Sequence, residues 1–171
     1  SAYVYRFNGS IWVQEQKLTA SDAAHGDQFG HSVSVSGDTA VVGASYDDCA
    51  VGVRCGSAYV YRFNGSTWVE EQKLTASDAA QEDLFGSSVS VSGAAAVMGA
   101  PTHDCGTGYD CGSAYVYRFN GSTWIEEQKL TALDAAGFDF FGSVAVSGNV
   151  AVVGAAADDC GAGPNCGSVY V

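Results

Sequence analysis

Basic residues are scarce in this chain. Its 171 residues include 7 Lys and Arg against 19 Asp and Glu, a formal net charge of −12. An acidic surface repels phosphate backbones and anionic lipid, which argues against nucleic acid and membrane surfaces as partners. Six of the seven cations (Arg6, Arg62, Arg118, Lys17, Lys73 and Lys129) recur at matching places and only Arg54 stands apart, so no basic cluster forms. A run of about 18 apolar residues, the signature of a transmembrane helix, is missing. Helical periodicity is missing too, and the Asp22-Ala23-Ala24 segment has room for one turn at most. Proline is nearly absent (2 residues), yet 47% of the chain is hydrophobic and 22 residues are Gly. That is enough apolar material for a core and argues against disorder. There is neither an initiator Met nor a signal peptide, and Ser1 already lies inside a repeated segment, which reads as a window cut from a longer or processed chain.

What the chain does contain is internal repetition. Ser-Ala-Tyr-Val-Tyr-Arg-Phe-Asn-Gly-Ser starts at Ser1, Ser57 and Ser113, and Ser168 opens a fourth copy, at spacings of 56, 56 and 55 residues. Residues 1–171 therefore form a single repeat region, with copies at 1–56, 57–112 and 113–167 and the start of a fourth at 168–171. The first two copies agree at about 40 of 56 positions, as a structural repeat array would.

Each copy reads as four short strands. In the first, Ala2 to Phe7 alternates, Asn8-Gly9 supplies a tight turn, and Trp12 to Leu18 returns. The charged and amide residues Gln14, Glu15, Gln16 and Lys17 suit an outer or edge strand. After a polar loop, His31 to Ser36 alternates Ser with Val, and Ala40 to Ala44 is short and apolar, with Gly43 allowing close packing. The expected fold is all-β, with blades of four antiparallel strands. A β-solenoid is the competing architecture, but its coils are shorter and lack a tight hairpin per unit.

Phe29-Gly30 through Gly43-Ala44, Phe85-Gly86 with Gly99-Ala100-Pro101, and Phe141-Gly142 with Gly154-Ala155 resemble the FG-GAP repeat. The resemblance covers essentially the whole chain. It implies about three blades of a larger β-propeller or repeat array, with adhesive or scaffolding roles. Many members of that family carry an Asp-x-Asp-x-Asp-Gly calcium loop between the two halves of the motif. Here the connections are Ser36-Gly37-Asp38-Thr39, Ser92-Gly93-Ala94-Ala95 and Ser147-Gly148-Asn149-Val150, too short and too poor in carboxylates for six oxygen ligands. The chain resembles the subfamily that has tight turns there. It opens and closes on the third strand type of a blade, which predicts two whole blades flanked by partial ones.

The six cysteines fall as Cys49/Cys55, Cys105/Cys111 and Cys160/Cys166, one pair per copy. Zinc prefers a closer Cys-x₂₋₄-Cys spacing with a second pair or a His nearby, and only His103 lies close to any pair. Three local disulfides are expected instead, which implies an oxidising, extracellular setting. Asn8-Gly9-Ser10, Asn64-Gly65-Ser66 and Asn120-Gly121-Ser122 are glycosylation sequons as well as plain turn dipeptides. Asp47, Asp48, Asp104, Asp158 and Asp159 abut the first Cys of each loop; the default is a solvated acidic loop, and weak calcium binding is the alternative.

No catalytic constellation is visible. His25, His31 and His103 occupy different repeat positions, and there is no Gly-x-Ser-x-Gly elbow or phosphate loop. Asp27, Asp83 and Asp139, like Asp22, Asp78 and Asp134, recur in every copy, which favours capping of loop N–H groups over catalysis. Trp12, Trp68 and Trp124 also recur, and pack between blades or else face a ligand such as a sugar. The expected function is a non-catalytic, extracellular structural or adhesive module that contacts other protein subunits or further repeats of the same chain. The alternative is a carbohydrate-binding propeller with one shallow site per blade, and an enzyme would need residues beyond this segment.

Overall fold

A computed structural model describes residues 1–106, 108–159 and 163–171. The described residues form thirteen strands and no helix: β1 (Ala2–Phe7), β2 (Trp12–Leu18), β3 (Ser32–Ser36), β4 (Thr39–Ala44), β5 (Ser57–Phe63), β6 (Trp68–Leu74), β7 (Ser88–Ser92), β8 (Ala95–Ala100), β9 (Ser113–Phe119), β10 (Trp124–Leu130), β11 (Phe141–Ser147), β12 (Val150–Ala155) and β13 (Ser168–Tyr170). β3-β4-β5-β6 and β7-β8-β9-β10 are antiparallel four-stranded sheets in chain order, the form of a propeller blade. β1-β2 and β11-β12-β13 are sheets of two and three strands. Two whole blades flanked by partial ones are therefore present, as the strand types at the two ends of the sequence predict.

The strand limits differ from the sequence reading by one residue. The His31 N–H is taken by the Gln28 carbonyl in a turn, so the ladder starts at Ser32. Thr39 pairs with Arg62 and so opens β4 one residue before the apolar run. The Asn-Gly turns close as expected: the Asn64 N–H donates to the Thr67 carbonyl, and Asn64 Oδ1 accepts the N–H groups of Ser66 and Thr67. Gly65 takes a φ of 96°, which a side chain would resist.

Each hairpin of the β5–β6 type carries a bulge. Val60 faces Gln72 and Tyr61 faces Glu70, leaving Glu71 as the extra residue. The same break passes over Glu15 in β2 and Glu127 in β10. A bulge breaks the period of two and re-aims side chains.

The core lies between sheets. One cluster joins Val41, Val60, Leu74 and Phe85 to Met98, Tyr115 and Trp124, and so belongs to both whole blades. Similar clusters join β1–β2 to the first whole blade and the second whole blade to β11–β13. Burial thus depends on stacking, as it must in a repeat array. β3, β7 and β11 are the strands through which successive sheets approach. Backbones meet there: a Cβ at Gly43 would overlap the Gly86 carbonyl, and one at Gly99 would overlap that of Gly142. The two glycines of the repeated motif are thus partners across a joint.

Candidate functional site

Three joints between successive sheets hold most of the recurring polar side chains. Gln16 donates Nε2–H to the Trp68 carbonyl and accepts the Trp68 N–H on Oε1, both at 2.8 Å. One joint further on, Gln72 treats Trp124 the same way, at 2.9 and 2.8 Å. The side-chain amide stands in for a strand backbone at the end of an outer strand. Beside it, the Trp68 indole N–H donates to Glu15 and the Trp124 indole N–H to Glu71, at 2.9 and 3.2 Å. Two consecutive residues reach one Trp because of the bulge. The arginines complete the joint: Arg6 pairs with Glu15 and lies 4.7 Å from the Phe63 ring centroid, and Arg62 pairs with Glu71 and lies 4.5 Å from that of Phe119.

Of the two roles open to the recurring tryptophans, packing between sheets is the one seen at two of the three positions. Trp68 and Trp124 are 5% and 3% exposed and are held by the preceding sheet. Trp12, on β2, is 69% exposed and stacks only on Phe7 among the aromatic rings.

A second set of contacts seals the inner strands. The N–H groups of Val91 and Gly93 donate to Ser34 and Ser36 Oγ, both at 3.1 Å. Those of Val144, Val146 and Gly148 donate to Ser88, Ser90 and Ser92 Oγ. The alternating serines of the sequence therefore satisfy edge-strand donors that would otherwise be open to pairing.

The recurring aspartates cap loops and anchor tyrosines. Asp27, Asp83 and Asp139 each accept the N–H three residues earlier. Asp22, Asp78 and Asp134 accept the hydroxyls of Tyr59, Tyr115 and Tyr170, each at 2.7 Å. Lys73 bridges Asp22 and Asp47 at 2.7 and 2.6 Å. Burial alone would pull the Lys73 ammonium down, but Asp22, Asp47 and Tyr59 outweigh it and its pKa ends raised. Burial, opposed by Ser57 and assisted by Asp22, pushes the Tyr59 hydroxyl up to about 12. A fixed cation beside a neutral phenol holds structure and offers no proton near neutral pH.

The second whole blade departs from this plan. His103 stands where the first copy of the repeat has Asp47 and the third copy has Asp158. Lys129 Nζ lies 2.6 Å from His103 Nε2, and Nδ1 lies 3.0 Å from Asp83 Oδ2. An ammonium only donates, so Nε2 accepts and the ring proton sits on Nδ1, facing the carboxylate.

Disulfides join Cys49 to Cys55 and Cys105 to Cys111, with Cα atoms 5.8 Å apart in both. The third expected bond, Cys160–Cys166, involves Cys160, which lies outside the described residues. Cys166 itself is described. Its Sγ lies 2.9 Å from the Gly163 carbonyl oxygen, and Cys55 and Cys111 stand in the same relation to Gly52 and Gly108, at 3.3 and 3.4 Å. The acidic residues of these loops serve the loops themselves: Asp48, Asp104 and Asp159 accept the N–H groups of Arg54, Asp110 and Asn165, and Asp158 lies 3.3 Å from the Tyr170 hydroxyl. Among the described residues no group of three His, Cys, Asp or Glu is placed to hold a metal ion. His25 and His31 are exposed, and Asn8, Asn64 and Asn120 occupy hairpin turns.

The sequence reading missed the roles of Glu15, Gln16, Glu71 and Gln72. Their recurrence was the available signal, but charged and amide residues on an outer strand read as solvent-facing.

A family model described as FG-GAP repeat matches residues 12–61, 68–117 and 124–171. Each match starts at the outer strand of one sheet and runs through three strands of the next, so the unit of sequence spans a joint. No curated protein matches the chain.

Proposed function

The chain belongs to the FG-GAP repeat family, and on that footing we propose that it is a non-catalytic extracellular module whose propeller-type blades serve adhesion or assembly through protein–protein contacts. The observation that carries this reading is where its polar residues go. The Glu, Gln, Arg, Ser, Tyr, Lys and Asp that recur are engaged in joints and loop caps, as described above, which favours a rigid scaffold over a reacting centre. Disulfides in two successive loops fit an oxidising compartment. Among the described residues no helix is long and apolar enough to cross a membrane.

A carbohydrate site in every blade has little support once Trp68 and Trp124 are buried; Trp12 is the single aromatic of that series with a free face. Parallel screening of the folded chain on arrays of extracellular proteins and of glycans separates the two readings. Saturable binding to protein without glycan binding is expected. Glycan binding lost in Trp12→Ala would overturn the assignment in favour of the rival. Made in a eukaryotic secretory pathway, the chain is expected to carry sugar at the turn residues Asn8, Asn64 and Asn120, which glycopeptide mass spectrometry would detect.

A further inference from the structure

The joint between the second whole blade and β11–β13 carries two exposed aromatic residues on loops that are fastened to each other. Tyr109, in the disulfide loop of the second whole blade, is 70% exposed, and Phe138, in the connection from β10 to β11, is 57% exposed. The Phe138 N–H donates to the Tyr109 carbonyl at 2.8 Å, and the Phe140 N–H to that of Asp110 at 3.1 Å. The Phe138 and Phe140 ring centroids lie 6.5 Å apart. We propose that Tyr109 and Phe138, backed by Phe140, form a docking site for a partner protein that presents an apolar side chain flanked by Lys or Arg; the site presupposes the protein-contact reading above.

The exposure belongs to the position and not to an unfinished sheet. In the joint between the two whole blades, Val53 and Glu82 occupy the same two places. The Glu82 N–H donates to the Val53 carbonyl at 2.9 Å, and the Leu84 N–H to that of Arg54 at 3.2 Å. Val53 and Glu82 are both exposed there, although each sheet has all four strands. Further repeats at either end of the array would leave the equivalent place open in the same way.

What sets the later joint apart is its residues. The place of Phe138 is left-handed in every copy: φ is 103° at Gly26, 65° at Glu82 and 70° at Phe138. Glycine suits such a backbone, whereas a bulky ring there is an outlier that local folding disfavours. Phe138 has most of its surface open, so burial does not compensate for the strain, and residues held in this way gather at ligand clamps. The neighbouring loop is also bared. In the joint between the whole blades the Gln81 side chain packs on Gly52, but in the later joint Gly137 stands in its place against Gly108 and brings no side chain.

Charge selects the partner. Arg54 holds the place of Asp110 in the preceding disulfide loop and lies 5.0 Å from the Tyr46 ring centroid. Asp110 reverses that charge, and its N–H donates to Asp104. Among the described residues neither Asp104 nor Asp110 has a Lys or Arg within ion-pair reach. Burial, with Asp104 and Glu82 nearby, holds the Asp110 carboxyl above its ordinary value. Carboxylates in such company favour a cation brought from outside. Aromatic anchors beside a charged rim are the usual make-up of an interface hot spot.

A peptide library displayed on phage and sorted against the folded chain tests the site. Enriched peptides are expected to carry Phe, Trp, Leu or Ile beside Lys or Arg, and to bind about tenfold or more weakly to Phe138→Gly and to Tyr109→Ser. Glycine fits a φ of 70°, so Phe138→Gly should keep the fold, which its urea midpoint checks. Asp110→Asn, a residue type already present at this place in the third copy as Asn165, is expected to weaken binding and flatten its salt dependence. Val53→Ser, at the equivalent place of the preceding joint, should leave binding unchanged. No enrichment, enrichment of acidic peptides, binding that survives Phe138→Gly, or equal loss in Val53→Ser overturns the proposal. On the protein arrays, a Phe138→Gly chain that binds as the wild type does removes this site and leaves the module reading standing. Glycan binding that is lost in Phe138→Gly removes both.

Discussion

Glu71 accepts the indole N–H of Trp124 across the joint between the two whole blades, and it can do so only because β6 is bulged at that residue. In a regular strand Glu71 and Gln72 would point to opposite faces. The bulge turns both toward the next blade, one to the Trp side chain and the other to its backbone. The same pair of residue types stands at Glu15 and Gln16, so the joint is written into the repeat.

Replacing Gln72 by Leu removes both bonds to the Trp124 backbone while keeping side-chain volume. The buried N–H and C=O left behind each lose a partner, and the expected loss is about 1–3 kcal/mol. Urea unfolding followed by tryptophan fluorescence measures it. A loss under about 0.5 kcal/mol would show that water replaces the amide without cost.

A methyl group at the glycine contact should be worse tolerated. Gly99→Ala drives a Cβ into the Gly142 carbonyl and is expected to cost about 1–3 kcal/mol or more by overpacking. Gly106→Ala, with open space around its Cβ, should stay within about 0.5 kcal/mol. Equal midpoints for the two variants would deny that the sheets meet at these glycines.

The contrast between these residues shows what the sequence could and could not disclose. Strands were legible because apolar and polar residues alternate, and turns because Asn-Gly tolerates positive φ. Local cysteine pairing was legible for Cys49–Cys55 and Cys105–Cys111 because the spacing repeats. The glycines of the motif were legible as close contacts, but not as partners of each other, because they lie 43 residues apart in the chain at Gly43 and Gly86. The roles of Glu71 and Gln72 were hidden for two reasons. A bulge has no signature in a period-two reading, and the group they bind is a blade away. Trp68 and Trp124 carried an ambiguity between packing and ligand that only the position of the neighbouring sheet removes.

Acid should loosen the joints. The Arg62 guanidinium, by hydrogen bonding, holds the Glu71 carboxyl below its ordinary value against the opposing effect of burial, with help from Trp124. Lys73 does the same for Asp22, again against burial and with help from Tyr59. A carboxylate with a depressed folded pKa adds stability that is present above its unfolded value, about 4, and is lost as pH falls through the folded value. Urea midpoints are therefore expected to be level between about pH 7 and 5 and to fall below about pH 4, with a shallower fall in Glu71→Gln. An unchanged slope in that variant would remove Glu71 from the account.

His103 offers an internal comparison. His103→Asp recreates the Lys73–Asp47 pair of the first blade and should hold the Cys105–Cys111 loop as well as the wild type does at neutral pH. His103→Leu takes one partner from Asp83, which keeps the Ala80 N–H, and one from Lys129, which keeps Asp78, and should destabilise by about 1 kcal/mol. Hydrogen exchange of residues 101–112, read against 45–56 as control, reports both. Identical exchange in His103→Leu and the wild type would contradict the bonding described.

The central claim is that side chains recurring in every copy serve to hold one blade to the next. A double-mutant cycle between Glu71→Ala and Trp124→Phe tests it most directly, since Phe keeps an aromatic ring and removes the indole donor. The expected interaction energy is about 1–3 kcal/mol in favour of the pair, the range for a hydrogen bond to a charged group. Effects that add to within about 0.3 kcal/mol would mean that the two residues stand side by side without holding the joint, and would contradict the account.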